Sequence, residues 1–390
     1  MNPRLQETLL SAAQAVFPQA LELSRRIHAH PELRFEEFKA SAWLADALEQ
    51  AGFVVQRGVG SLPTAFIARL ERGPGPHIAL LAEYDALEGL GHACGHNLIG
   101  SMSVGAGLAL AKANLDDLSG TISVIGCPAE EGGGGKAILL EAGAFVEVDA
   151  AFIIHPYDQN LLHTAYLARV AYDITYLGVP AHAADSPHEG INALDAANLF
   201  FAGLNALRQH VTPDVRMHGI ITHGGDAPNI IPKETRVRVF VRAAQAEYLQ
   251  KLIPRVRGVI EGAAMMTGCK VEVQDYSPAY LDMRSNPVLM EVFRQASEPL
   301  GRAFAPSKTE GGASTDVGNV SHALPTLHPT YTIGEVKPHT EAFAQAAISP
   351  EGERCLRDGI AALALSVATL LEQPQLVQAA WEAHRTQDEV

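Results

Sequence analysis

The chain is poor in cysteine and in positive charge, and it has no long apolar run; each shortage excludes a class of protein. Four cysteines, Cys94, Cys127, Cys269 and Cys355, in 390 residues are too few for a disulfide framework and point to a reducing compartment. Lysine and arginine number 29 against 44 acidic residues, a net charge of −15. Nucleic acid and anionic membranes need a basic face, so neither is an expected partner. No apolar stretch approaches the roughly 20 residues needed to span a bilayer. The opening segment MNPRLQETLLSAAQAVFPQA lacks the charged-then-apolar pattern of a signal peptide, so a cytoplasmic location is expected. Repeats and low-complexity tracts are also missing.

What is present is a large apolar fraction, 47%, in a chain long enough for two domains. Apolar residues at helical spacing mark a helix over 44–51, stopped by Gly52. Short runs at 65–70, 78–82, 122–127 and 151–154 are apolar on both faces, as buried strands are. A Gly-, Ala- and Leu-rich stretch at 98–113 reads as a buried helix between them. This alternation predicts an α/β domain with a mostly parallel sheet flanked by helices. The middle differs: strands at 168–177, 217–222, 235–243 and 270–275 and helices at 190–210 and 247–266 follow the order β-α-β-β-α-β of a ferredoxin-like α+β module. The expected organisation is a catalytic domain over 1–167 and 282–390, interrupted by an inserted domain over 168–281. A helix is expected from 288 to 300, and 307–320 reads as a long functional loop.

Ligands of open α/β sheets collect at the carboxyl ends of strands. Three of the buried runs end in ionisable groups: Glu83 and Asp85, the pair Glu130-Glu131 followed by four glycines, and His155. The segment GHACGHN adds His92, Cys94 and His96, which an extended chain would present on one side. With His339 in PHTEAF these side chains could hold two ions of the zinc, manganese, cobalt or nickel type. Glu130 and Glu131 point different ways if extended, so one carboxylate can bind metal while its neighbour acts as general base.

The segments RRIHAHPELRFEEFKAS, EYDALEGLGHACGHN, PAEEGGGG, IIHPYD, GVPAHAADSPHEGINA, GGDAPNIIP and PHTEAF together resemble the motifs of the peptidase M20 family. Within it they resemble the amidohydrolase branch of hippurate, auxin-conjugate and p-aminobenzoyl-glutamate hydrolases. Asn97, AEYDALEG and ASTDVGN bring the chain nearest to the p-aminobenzoyl-glutamate hydrolases and the β-alanyl-lysine-type dipeptidases. The resemblance implies metal-dependent hydrolysis of N-acyl or aminoacyl amino acids, with a metallocarboxypeptidase acting on longer peptides as the alternative. It implies Cys94, His96, Glu131, His155 and His339 as metal ligands, Glu130 as general base and Asp85 as support of the site. It also implies a homodimer in which His182, on the inserted lid and dimerisation domain, reaches the partner's site to polarise the scissile carbonyl. Asn229 and Arg242 would bind the substrate's free carboxylate.

Two other readings keep the same residues: a binding protein that has lost catalysis, and a thiol hydrolase built on Cys94. Among the remaining residues, His28 and His30 read as structural and Cys127 as core. His188, His210 and His322 read as surface or packed side chains, and His328 as a pocket candidate. Of Glu83 and Asp85, one is expected to face the metal site and the other the wall.

Overall fold

A computed structural model describes residues 1–113, 118–308 and 311–388. The chain forms two compact units. The first comprises Met1–Ala165, Met283–Glu310 and Asp316–Val390; the second comprises Tyr166–Asp282 with Gly311–Thr315.

The first unit opens with helices α1 (Pro3–Ala29) and α2 (Phe38–Gln50). Strands β1 (Val54–Arg57), β2 (Phe66–Glu71) and β3 (His77–Ala82) follow, then α3 (His96–Lys112). Next come β4 (Thr121–Gly126), α4 (Gly135–Glu141), β5 (Ala150–Phe152) and β6 (His155–Tyr157). Six strands form one sheet, and its central strands β4, β3 and β5 run parallel. Only β2 runs against its neighbours, so five of the six strands share a direction. Every residue of β3 is buried, which requires cover on both faces. Burying a Leu or Ile side chain stabilises by about 1.5–3 kcal/mol, so the run IALL in β3 anchors the layer. The carboxyl ends of β3, β4 and β5 emerge at one edge of the sheet, and the ionisable segments follow from there.

The second unit contains β7 (Ala168–Leu177), α5 (Ala193–Leu207), β8 (Arg216–His223), β9 (Glu234–Ala243), α6 (Ala246–Thr267) and β10 (Lys270–Asp275). Its antiparallel sheet has the order β10-β7-β9-β8. Along β7, Val170, Tyr172, Ile174 and Tyr176 alternate into a core that includes Phe200 of α5 and Val256 and Ile260 of α6. That two-residue period is the pleat at work.

The chain then returns to the first unit with α7 (Pro287–Ser297), α8 (Val317–Ala323), β11 (Thr326–Leu327), β12 (Thr330–Thr332), α9 (Glu341–Ala346), α10 (Pro350–Glu372) and α11 (Pro374–Asp388). β11 completes the large sheet beside β5, and β12 pairs in parallel with β6. Helices α1, α3 and α10 pack on one another. The stretch 307–320 is not wholly a loop, since α8 begins at Val317; residues 309 and 310 lie outside the described residues.

Candidate metal centre

Four segments converge, carrying Cys94 and His96, Glu130 and Glu131, His155, and His339. Cys94 lies in the turn before α3, and His96 is the first residue of that helix. Gly95 between them sits at φ 77°. A Cβ there would lie 2.5 Å from Cγ of Pro156, so glycine lets this turn close onto the segment that carries His155. The turn also corrects an expectation. Because 92–95 is folded rather than extended, with the Gly95 N–H donating to the His92 carbonyl, His92 does not share a side with Cys94 and His96. Its ring lies 6.0 Å from that of His28, and burial, then His96, pushes its pKa down to about 3.

The ligand atoms of Cys94, His96 and His155 lie within 4.8 Å of one another, as do those of Cys94, Glu131 and His339, and those of His96, Glu130 and Glu131. Cys94 Sγ is 3.4 Å from His155 Nε2, and His339 Nε2 is 3.2 Å from Glu131 Oε1. Asp85 ties two of the segments together. Its Oδ1 is 2.8 Å from His96 Nδ1, and its Oδ2 accepts the Glu131 N–H at 2.9 Å.

These contacts suit a metal. A ligating imidazole gives one N–H to a carboxylate or carbonyl and turns its other nitrogen to the ion. His96 does this through Asp85, and its buried Nε2 has no hydrogen-bond partner. His155 does it by donating Nδ1–H to the Pro156 carbonyl at 2.6 Å. Thiol, imidazoles and carboxylate together form a donor set for borderline first-row ions.

Backbone strain gathers here too. Ala129 and His339 adopt positive φ, 59° and 64°, and such conformations persist only where their surroundings hold them. The Ala129 N–H donates to Glu37 Oε1 at 2.8 Å, and the His339 N–H to the Ala93 carbonyl at 2.8 Å. Glu37, buried at the start of α2, thus holds the bend that aims Glu130. Burial, then Asp85, raises its pKa to about 7.

Charge separates the two adjacent glutamates. Burial, then Glu83, Glu131 and Asp316, pushes Glu130 well above the usual carboxylate range. Burial acts the same way on Glu131, but the His339 hydrogen bond and His96 outweigh it and hold its pKa low. Burial, then Glu131, raises the Cys94 thiol far above its ordinary value, the opposite of what a nucleophilic thiolate needs. His328 is buried with its ring 5.6 Å from that of His155. His28 makes a backbone contact at 2.9 Å from its Nε2 to the Ala344 carbonyl.

Glu83 does not face a wall. In an extended segment residues two apart share a side, so Glu83 and Asp85 both flank His96, with Glu83 Oε2 3.5 Å from Nε2. Beyond Glu83 the sequence reading missed Lys136 and Asp316, both fully buried. Lysine is so rarely buried that nothing in GGGGK announced this one. Glu37 was missed because its role is to accept a backbone N–H 92 positions away.

His182, Asn229 and Arg242 belong to the second unit. His182 and Asn229 are neighbours there, since the Ala183 N–H donates to the Asn229 carbonyl at 2.9 Å. His182 Nδ1 accepts the N–H groups of Ala184 and Asp185 at 3.3 and 3.1 Å. That leaves the proton on Nε2 of an exposed ring. Arg242 stands directly across from Arg169 on β7 and Arg216 on β8. It donates to the Gly312 carbonyl at 2.9 Å and to Ser314 Oγ at 3.3 Å. Burial, then Arg169, lowers its pKa, a penalty that an anionic ligand would relieve.

Comparison with known proteins fits this geometry. The model of peptidase family M20/M25/M40 matches residues 79–369. The chain is 39% identical over 377 residues to the Xaa-Arg dipeptidase of Mus musculus, spanning 91% of this chain and 86% of that one. It is 39% identical over 300 residues to one of the subunits of the p-aminobenzoyl-glutamate hydrolase of Escherichia coli (strain K12), spanning 72% and 62%. Among solved structures, a Bacillus subtilis protein described as a dinuclear metal binding peptidase of the M20 family superposes with a TM-score of 0.66. It shares 22% identity over 91% of this chain and 99% of its own.

Proposed function

The chain belongs to peptidase family M20/M25/M40, and from that premise we propose that it hydrolyses the amide bond joining an acyl or aminoacyl group to a free amino acid. The observation that carries this reading is the nest of Cys94, His96, Glu131, His155 and His339, with Glu130 buried against it. These five side chains would hold two divalent ions of the zinc, manganese, cobalt or nickel type. When bound, the ions supply Lewis acidity toward a carbonyl oxygen and acidify water.

The remaining roles fall to the chain's own groups. Glu130 takes the proton of the attacking water and returns it to the leaving amine; burial among carboxylates raises its basicity, which suits a group that must both accept and release. Asp85 orients His96 and the Glu131 backbone together. His182 presents Nε2–H to the scissile carbonyl oxygen. Arg242, with Asn229, receives the free carboxylate of the leaving amino acid, as guanidinium is suited to do.

A homodimer in which His182 serves the partner's site belongs to the same reading. It is supported by the outer strand β8, where Ile220 and Ile221 lie uncovered at 62% and 38% exposure; such edges favour pairing. Four free cysteines support a reducing, cytoplasmic setting. The identities with a dipeptidase and with an aminobenzoyl-glutamate hydrolase support short substrates.

The test strips the protein of metal and assays it against dipeptides, N-acyl amino acids, their C-terminal amides and longer peptides. Activity should vanish on chelation and return with one of the named ions. Short substrates with a free carboxylate should be preferred, and their amides should lose most of kcat/KM. Preference for longer peptides would make the enzyme a carboxypeptidase instead. Activity that survives chelation but not alkylation would overturn the metal reading.

A further inference from the structure

Beside the five candidate ligands lies a second cluster, which joins Glu130 to two carboxylates that the proposed reaction leaves without a role. Carboxylate oxygens of Glu83, Glu130 and Asp316 lie within 4.8 Å of one another, all three side chains buried. Three carboxylates this close repel strongly in a buried site, and such a set ordinarily holds a hard cation such as magnesium, calcium or manganese. Here a side chain already stands among them. Lys136 is fully buried, and its Nζ is 2.5 Å from Glu83 Oε1 and 2.5 Å from Asp316 Oδ1. Asp316 also accepts the Lys136 backbone N–H at 2.8 Å. The position is built rather than incidental. A Cβ on the preceding Gly135 would lie 1.8 Å from the Pro128 carbonyl oxygen, so only glycine lets α4 begin against the loop that carries Glu130.

We propose that Lys136 is the built-in cation of this carboxylate cluster, its ammonium standing where a divalent ion would otherwise bind. Two consequences follow. Metal ions are confined to the side of the site lined by Cys94 and the histidines. Glu130 is kept from being drawn into an all-carboxylate metal site, which preserves it as the base; this second consequence rests on the functional reading above, and the first does not. Lys136 is a positioning residue, acting through Glu83 and Asp316.

The test compares the metal-stripped full chain with its Lys136→Met and Lys136→Met/Asp316→Asn variants, each titrated with Mn²⁺, with bound metal counted by elemental analysis after dialysis. Lys136→Met should retain about one more ion per chain than the wild type, because the cluster regains the charge that attracts a cation. The double variant, with its charge again reduced, should load like the wild type. Lys136→Met should also melt below the wild type when stripped and recover on adding Mn²⁺, a response the double variant lacks. If Lys136→Met folds only with Mn²⁺ present, that dependence is itself the exchange of one cation for another. A folded Lys136→Met chain with wild-type stoichiometry overturns the proposal, and so does one that stays unfolded with and without Mn²⁺. A wild type that binds none of Mn²⁺, Zn²⁺, Co²⁺ or Ni²⁺ would instead overturn the functional reading, while the extra Mn²⁺ in Lys136→Met would still report on Lys136.

Discussion

At the scale of single residues, the division between Glu130 and Glu131 decides the chemistry. The two are adjacent in sequence and alike in type, yet one meets His339 and the other meets Glu83 and Asp316. Glu130→Gln keeps the shape of the side chain while removing the proton acceptor. Its turnover should fall by about 10²–10⁴ with bound metal unchanged by elemental analysis. Glu131→Gln should lose metal as well as activity, because the amide is a poorer ligand than the carboxylate. Near wild-type turnover in Glu130→Gln, or full metal occupancy in Glu131→Gln, would reverse the assignment. Adjacency and the strand end before it were legible in PAEE. Which glutamate faces which neighbour was not, since those neighbours lie far along the chain.

At the scale of elements, the site is a property of tight turns at strand and helix ends. Gly95 starts α3 in the left-handed region and lets Pro156 approach, so Cys94, His96 and His155 reach one point. Gly95→Ala should cost about 1–3 kcal/mol of stability and weaken metal binding in step, read by chemical denaturation and metal titration of the same sample. Stability lost with metal affinity intact would mean the turn merely supports the fold. The regular elements were largely readable: β2, β3, β4, α3 and all six elements of the second unit fall where apolar periodicity puts them. The short pieces were not. β6, β11 and β12 have two or three residues each, too few for any period, and α8 hides inside a stretch that reads as loop. α1 was missed, although Leu9, Ala12, Ala13, Val16, Ala20, Leu23 and Ile27 form a buried stripe at helical spacing along its 27 residues.

At the scale of the whole molecule, the proposed reading assigns His182 to the partner's site. His182 is exposed and in the second unit, and the candidate ligands are all in the first. If His182 acts on the partner's site, mixing His182→Ala with Glu130→Ala, each inactive alone, should restore part of the activity after subunit exchange. A heterodimer then contains one site with both groups intact. Demonstrated exchange without recovery would place His182 in its own chain's site or outside the reaction.

The sequence by itself determined the two-part α/β organisation, the family and the set of chemical groups available. Apolar periodicity is local, and the motifs are short runs whose residues are neighbours along the chain. It could not determine that 92–95 folds as a turn that separates His92 from Cys94 and His96, or that Glu83 faces His96. It could not show that Glu37 holds Ala129, or that a buried lysine neutralises Glu83 and Asp316. Those outcomes depend on which distant groups share a buried volume, where each ionised side chain must find a partner or pay for its lost water. Such pairings, Lys136 with Asp316 across 180 positions among them, exist only once the sheet has brought its strand ends to one edge.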